Sequence, residues 1–277
     1  MSESLSIIIT HYKTPHLLKL AIRSIMETCK ELDYEIIVSD AETQHETAEM
    51  LADEFPKVRH LAFNDNVGYA HLVNSGIGNS QSDYVLILNA DIVLLKDTAK
   101  KIIEYLRDNE KVGIVGPKLL NFNGTHQYSC FKFYKPITVI ARRTLLAKTT
   151  FGAKIIKEFL MEDELAVNYD KPIAVDWLMG SALCAKRSAI SKVGPMDESF
   201  FMYFEDVDWC RRFWENDFAV VYLPDALAYH YHQKASHTGR GILDILSNKQ
   251  TRIHAASAYK YFRKYKNKPV PSVKLYK

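Results

Sequence analysis

The stretch Tyr84 to Leu95, YVLILNADIVLL, constrains this chain more than any other. Its opening apolar run is comfortable only as a buried strand. The run breaks at Asn89-Ala90-Asp91 and then resumes, so a carboxylate stands where a central strand leaves its sheet. Open α/β sheets bind their ligands at that place, which makes Asp91 the candidate anchor of a metal-assisted ligand site.

The flanking sequence supports a sheet of this kind. Ser6 to Thr10 is a compact apolar strand, and His11 to Pro15 is a polar turn into a helix with apolar residues at Leu17, Leu18, Ala21, Ile22, Ile25 and Met26. Tyr34 to Ser39 is a second buried strand ending in Asp40, and Thr47 to Phe55 a second helix. Val58 to Phe63 is a third strand, followed by the turn-rich Asn64 to Tyr69 and a helical Ala70 to Gly76. Strands alternating with helices at this pace predict an α/β fold, a mixed but mainly parallel sheet with helices on both faces.

Beyond the opening stretch, Asp97 to Arg107 reads as a helix and Val112 to Val115 as a strand. From 121 to 171 the pattern loosens into aromatics and cations, with a helix at Ala153 to Met161. This insertion is either a solvated helical excursion with its own small core or a surface suited to a sugar or an anionic acceptor. Ala174 to Ala185 returns to strand-like sequence, with Gly180 permitting a close backbone approach. Phe200 to Phe204 then leads into Glu205, Asp206 and Asp208, three carboxylates favoured at a helix N-terminus, with Arg211 and Arg212 one turn on to pair with Asp208. Val220 to Leu223 is a last strand, and His230, His232 and His237 follow it.

Composition excludes several classes. The net charge of +3 gives no reason to expect a nucleic-acid partner, and 277 residues at 47% hydrophobic suffice for a full core. Cys29, Cys130, Cys184 and Cys210 show no CxxC or framework spacing, which argues against disulfides and structural zinc and for a reducing cytoplasm. The N-terminus carries no signal-peptide pattern and no segment approaches a membrane span, so the expected location is cytoplasmic with any membrane contact peripheral to the inner face. After Asp244 there is no acidic residue, while Lys249, Arg252, Lys260, Arg263 and further lysines follow. That basic tail is either a solvated C-terminal helix or a peripheral membrane contact. Neither GxGxxG nor GxxxxGK[ST] occurs, so a dinucleotide or P-loop site has no motif beneath it.

Several motifs in order carry a resemblance: Ile7 to Tyr12, Asp40, Asn66-Val67-Gly68-Tyr69-Ala70, Leu88 to Asp91, Trp177 to Ser181, Met196 to Glu198 with Phe201 to Asp208, and His230 through Ser236. Together they resemble family 2 glycosyltransferases of GT-A fold, and within that family bacterial rhamnosyltransferases that use a dTDP-sugar. The resemblance spans roughly residues 5 to 265. It implies a GT-A domain at 1–245, with a nucleotide-binding half at 1–120 and an acceptor half at 121–245, and a basic helical extension at 246–277.

The resemblance also implies roles. Asp91, at the last position of the usual DxD, and His230 would hold Mn2+ or Mg2+, imidazole favouring Mn2+. Asn89 replaces the first Asp of that motif and leaves a one-carboxylate metal site. Asp40 would accept a hydrogen bond from the pyrimidine N3–H of a dTDP- or UDP-sugar, Thr10 and Tyr12 would line base and ribose, and Asn66, Gly68 and Ala70 would form the close turn against nucleotide and sugar. Asp206 would be the base of an inverting transfer, with Glu205 orienting acceptor or base. Trp177, Gly180 and Ser181 would wall the acceptor site, the Trp ring stacking on a sugar. The implied donor is dTDP-β-L-rhamnose and the acceptor a glycan or lipid-linked glycan. A non-catalytic scaffold of the same fold stays open because of Asn89, against which the retained Asp91 and Asp206 argue; a sugar nucleotidyltransferase would need a Gly-rich loop where His11 to Pro15 stands.

Overall fold

Seven consecutive residues, Leu5 to His11, are buried in the first strand, so the sheet must be covered on both faces where this strand runs. The computed structural model describes residues 3–231 and 248–272. Strands β1 (Ser4–Tyr12), β2 (Asp33–Ala41), β3 (Arg59–Ala62) and β4 (Tyr84–Asn89) are linked by α1 (Pro15–Thr28), α2 (His45–Glu54) and α3 (Tyr69–Gly78). They pair in parallel in the order β3-β2-β1-β4. Helix α3 lies so close to the sheet that a Cβ at Gly76 would sit 2.4 Å from Ile8 Cγ2. Only glycine fits there.

After β5 (Ile92–Leu94) and α4 (Thr98–Asp108), β6 (Val112–Leu120) continues the sheet, and β7 (His126–Gln127) and β8 (Cys130–Phe131) follow. The 121–171 excursion holds α5 (Pro136–Arg143), a 3-10 turn at Leu145–Lys148, α6 (Thr150–Phe159) and α7 (Glu162–Val167). The strand-like 174–185 is three short strands, β9 (Ile173–Ala174), β10 (Trp177–Leu178) and β11 (Ala182–Lys186). The break comes at Asp176, buried with its carboxylate accepting the Phe133 amide at 2.6 Å, a bond that pulls the chain out of the ladder. Strand β11 then enters the sheet reversed, between β4 and β6.

Helices α8 (Arg187–Val193) and α9 (Glu205–Glu215) precede β12 (Ala219–His230), which runs well past the expected end at Leu223. Pro224 and Asp225 read as a terminator, yet the strand crosses them through a register shift between Leu223 and Leu227 and pairs again with β6. Its far end pairs antiparallel with β5, His230 opposite Ile92. The sheet order is therefore β3-β2-β1-β4-β11-β6-β12-β5.

The basic tail does not stand apart from this core. Helix α10 (Lys249–Lys264) buries Thr251, Ser257, Ala258 and Tyr261, so its described part is not a solvated helix. It is joined to α9 through Asp208, whose side chain is fully buried. Arg212 Nε reaches Asp208 at 2.9 Å, Lys264 Nζ at 2.6 Å, and the Tyr265 hydroxyl donates to it at 2.8 Å. A buried carboxylate with three such partners is costly to break on one side, because its cations are left without their counter-charge. Asp208→Ala is expected to lower unfolding free energy by roughly 3 kcal/mol, read by denaturant titration of the purified chain.

Candidate active site

The ends of β1, β4, β5 and β12 open onto one cleft of ≈ 820 Å³. Its floor is the loop that carries Asp91, which neighbouring backbone pins on three sides. Ala90 N–H donates to Thr10 O at 3.0 Å, Asn89 N–H to Ser181 O at 2.9 Å, and Tyr231 N–H to Asp91 O at 2.9 Å. The Thr10 hydroxyl donates to Asn89 Oδ1 at 3.1 Å, so the side chain in the usual first-carboxylate position is tied to β1.

Because β12 pairs with β5, His230 arrives beside Asp91, its Nε2 3.5 Å from Asp91 Oδ1. His230 Nδ1–H donates to Gln127 Oε1 at 2.9 Å, a bond that orients the ring with Nε2 toward Asp91. Asp91 Oδ1 is buried without a hydrogen-bond partner. Two lone-pair donors of this kind, one oxygen and one imidazole nitrogen, fit a divalent cation such as Mn2+. Among the described residues no three His, Cys, Asp or Glu side chains converge on one point, so such a cation needs ligand oxygens or water as well. His232 and His237 lie outside the described residues.

The second group of charges stands on α9. Tyr203 and Phe204 both take left-handed backbone, φ 69° and 70°, a strained bend that delivers Glu205 and Asp206 into the cleft at the helix start. Asp206 accepts the Gly180 amide at 3.0 Å and the Val207 amide at 2.8 Å. Burial pushes its carboxyl up to about 6, the two amides restraining the rise. Glu205 is pushed up further, first by burial and then by the charge of Asp206, and its Oε2 is buried without a partner. Two adjoining carboxyls in such a setting resist ionising together, so both are raised and they titrate as a pair.

Tyr69, part of the Asn66 to Ala70 motif but assigned no role there, holds this arrangement together. Its hydroxyl donates to the Gly180 carbonyl, and its amide donates to Phe201 O at 3.0 Å. Burial, then the charges of Glu205 and Asp206, raise its phenol far above the usual range, which keeps it a donor. The Gly180 peptide is thus gripped at both ends, by Tyr69 on its carbonyl and by Asp206 on the N–H of the same residue.

Other expected site residues are placed differently. Asp40 is fully buried and does not line the cleft. His11 Nδ1–H donates to one carboxylate oxygen at 2.7 Å and His60 Nε2–H to the other at 3.1 Å. Burial works to raise its carboxyl, but these bonds outweigh burial and hold it at about 2. Each Asp40 oxygen thus already accepts one hydrogen bond from a histidine, and at that end Tyr12, Ala41, Glu42 and Asp65 line the cleft. Trp177 is also away from the cleft: its ring is buried and stacked on Phe131 at 4.5 Å and on Tyr134 at 5.6 Å, leaving no face for a sugar. Ala70 is wholly buried in the core, and Gly68, at φ 87°, lies against the Phe201 carbonyl behind the cleft wall. Asn66 does line the cleft, its Oδ1 accepting the Gly68 amide at 3.1 Å. Thr10, Tyr12, Asn89, Asp91, Gly180, Ser181, Glu205, Asp206 and His230 all line it, and α10 adds Lys249, Gln250 and Ile253.

The sequence profile described as "Glycosyl transferase family 2" matches residues 6–160. The N-acetylglucosaminyl-diphospho-decaprenol L-rhamnosyltransferase of Mycobacterium tuberculosis is 25% identical over 253 residues, 87% of this chain and 79% of that protein. The rhamnosyltransferase WbbL of Escherichia coli is 29% identical over 202 residues, 72% of this chain and 68% of that protein. Among solved structures, GalNAc-T7 with UDP, GalNAc and Mn2+ superposes with a TM-score of 0.63 at 12% identity, over 83% of this chain and 44% of that one. The mannosyltransferase PcManGT of Pyrobaculum calidifontis, in complex with GDP-Man and Mn2+, gives 0.58 at 16% identity, over 94% and 65%. These likenesses carry the fold, which is GT-A.

Tyr69→Phe removes one hydrogen bond at nearly unchanged volume. With the Gly180 peptide less firmly held, its N–H supports the Asp206 carboxylate less well. The Asp206 titration, followed by carboxyl 13C NMR, is expected to move to higher pH, with the thermal midpoint changed by only a few degrees.

Proposed function

The chain belongs to glycosyl transferase family 2, and from that premise we propose an inverting, metal-assisted transfer of L-rhamnose from dTDP-β-L-rhamnose to a hydroxyl of a cell-surface polysaccharide or its lipid-linked precursor. That it is a glycosyltransferase follows from the family; the sugar and acceptor are taken from the names of its relatives. The observation that carries the chemistry is that the adjoining carboxyls of Glu205 and Asp206 line the same cleft as Asp91 and His230.

In this reading the nucleotide lies along Thr10, Tyr12, Glu42 and Asn66, with its diphosphate at the Asp91–His230 corner. Mn2+ or Mg2+ bound there supplies charge neutralisation for the diphosphate leaving group. Asp206, ionised above about 6, takes the proton of the acceptor hydroxyl as its oxygen bonds to the anomeric carbon. The bond from that carbon to the phosphate oxygen breaks on the opposite face, and its electron pair leaves with the diphosphate. Glu205, beside it in the cleft, hydrogen-bonds the acceptor or the base and so orients the reacting pair. Met179, Gly180 and Ser181 form the wall on the acceptor side. The donor and the site of action are placed in the cytoplasm, at the inner face of the membrane that holds a lipid-linked acceptor.

Purified chain incubated with a panel of dTDP- and UDP-sugars, Mn2+ or Mg2+ and extracted lipid-linked glycan tests the reading, with nucleotide diphosphate release as the signal. Turnover of a UDP-sugar in place of dTDP-rhamnose would move the donor assignment; binding without turnover of any donor would leave a scaffold, the reading that Asn89 favours. Asp206→Asn is expected to lower kcat by roughly 10³-fold with nucleotide binding retained. Because Asp206 must be ionised, kcat/KM is expected to be flat at neutral pH and to fall as pH drops through about 6.

Among the described residues Asp91 is the one carboxylate of the proposed cation corner; Asp91→Ala removes it, and His230→Ala removes the nitrogen. Each is expected to weaken Mn2+ binding in the presence of dTDP by roughly tenfold or more, read by electron paramagnetic resonance of free Mn2+.

A further inference from the structure

We propose that the α5–α6 excursion docks on the surface of an anionic lipid bilayer. Between Lys111 and Lys157 the chain has no Asp or Glu, while Lys135, Arg142, Arg143, Lys148, Lys154 and Lys157 fall within the excursion itself. Interspersed with these cations are large apolar side chains exposed to solvent: Leu145 at 76%, Phe151 at 62%, Ile140 at 51% and Ile137 at 37%. Single exposed apolar residues are ordinary, but four within fifteen residues, on short helices packed together, form a surface.

These side chains are held outward by ordered backbone. The Thr144 hydroxyl accepts the Leu146 amide at 3.2 Å and the Thr149 hydroxyl accepts the Gly152 amide at 3.0 Å, capping the 3-10 turn and α6 on either side of the exposed residues. At Gly152 a Cβ would meet Leu146 O at 1.8 Å, so the first turn of α6 is pressed onto the 3-10 turn. The inner side of the excursion is already occupied by Phe159, which stacks on Phe131 at 5.2 Å, with Arg142 over its ring at 4.9 Å. Leu145 and Phe151 have no core left to join.

Charge and apolarity together choose the partner. A run of cations without carboxylates calls for an anionic surface, and isolated Leu, Ile and Phe side chains need hydrocarbon to enter. Lys135 and Lys157 are paired with Glu158 and Asp163, but Lys148 and Lys154 are exposed beside the apolar residues. Helix α10 is the less suitable surface, because Lys264 is committed to Asp197 and Asp208, and Lys260 to the Ser199 carbonyl. The location is also apt: Tyr134, at the root of the excursion, packs on Trp177 and on Phe204, the residue before Glu205. Docking there sets the acceptor wall of the cleft next to the bilayer.

Flotation of the full chain with vesicles of phosphatidylcholine, alone or mixed with phosphatidylglycerol, tests this without any donor or acceptor. The wild type is expected to float with the mixed vesicles and not with the neutral ones. Leu145→Glu with Phe151→Glu is expected to lower partition by roughly tenfold or more, and Lys148→Glu with Lys154→Glu to lower it and flatten its salt dependence. Arg252→Glu with Arg263→Glu on α10 is expected to leave it nearly unchanged. Leu145→Gln with Phe151→Gln serves if the charged pair does not fold. The proposal is overturned if the wild type does not float, if loss of binding follows the α10 variant instead, or if the Leu145/Phe151 variant turns a dimer into a monomer by sedimentation velocity with no vesicle binding, which would make the face a contact between copies.

Discussion

The hydrogen bond from the Gly180 amide to Asp206 joins two parts of the chain that no secondary structure joins, and the site depends on it. One partner sits on the turn between β10 and β11, the other at the start of α9. The turn is fixed by β11, inserted between β4 and β6, and by Asn89 N–H donating to Ser181 O. The helix start is fixed by the bend at Tyr203 and Phe204 and by packing of Phe204 against Tyr134 and Tyr261. Tyr69 closes the ring by holding the Gly180 carbonyl from α3. Burial raises the Asp206 carboxyl and the backbone donors restrain the rise, so the rigidity of the turn and the acidity of Asp206 are linked.

Among the described residues, three buried side-chain oxygens of the cleft lining lack hydrogen-bond partners: Asp91 Oδ1, Ser181 Oγ and Glu205 Oε2. Leaving a buried polar atom unsatisfied costs about 1–3 kcal/mol each, and a fold tolerates this where a ligand restores the bonds. Their chemistry differs in a useful way. Asp91 offers a lone pair toward a cation, Ser181 can donate or accept, and the Glu205 carboxyl accepts when ionised and donates when protonated. The polarity of a bound sugar nucleotide and its acceptor can be met by these three with little rearrangement.

Much of the fold was legible because its signals are local. The β-strand at Ser6 to Thr10, the carboxylates of Asp91 and Asp206 and the Asp208–Arg212 pair all follow from patterns within a few residues. What failed depends on distant partners. Asp40 stands where a ligand-facing carboxylate belongs, but His11 and His60, 29 and 20 residues away, take both its oxygens. Nothing in their spacing announces it. Trp177 was read as a sugar platform because aromatic rings serve both purposes, and only the positions of Phe131 and Tyr134 decide between core and surface. The reach of β12 to His230 was hidden by Pro224, since a proline in a strand ends it unless a bulge absorbs the lost donor. The role of α10 as a cleft wall was hidden by its charge, which pointed to solvent while Asp208 was drawing Lys264 inward.

The two sides of the cleft are therefore built from different materials. On the Asp91 side, positions are set by strand pairing: β1 with β4, and β5 with β12, hold Thr10, Asn89, Asp91 and His230 through backbone hydrogen bonds that most substitutions leave intact. On the Asp206 side they are set by side chains, through the aromatic stack of Phe131, Trp177, Tyr134 and Phe204 and the ion pairs of Asp208. Backbone pairing tolerates sequence change, whereas a stack of rings or a buried ion pair shifts with each replacement. In the proposed reading the diphosphate and cation, common to many donors, fall on the stiff side, and the acceptor on the side whose shape a few substitutions can alter without disturbing the sheet.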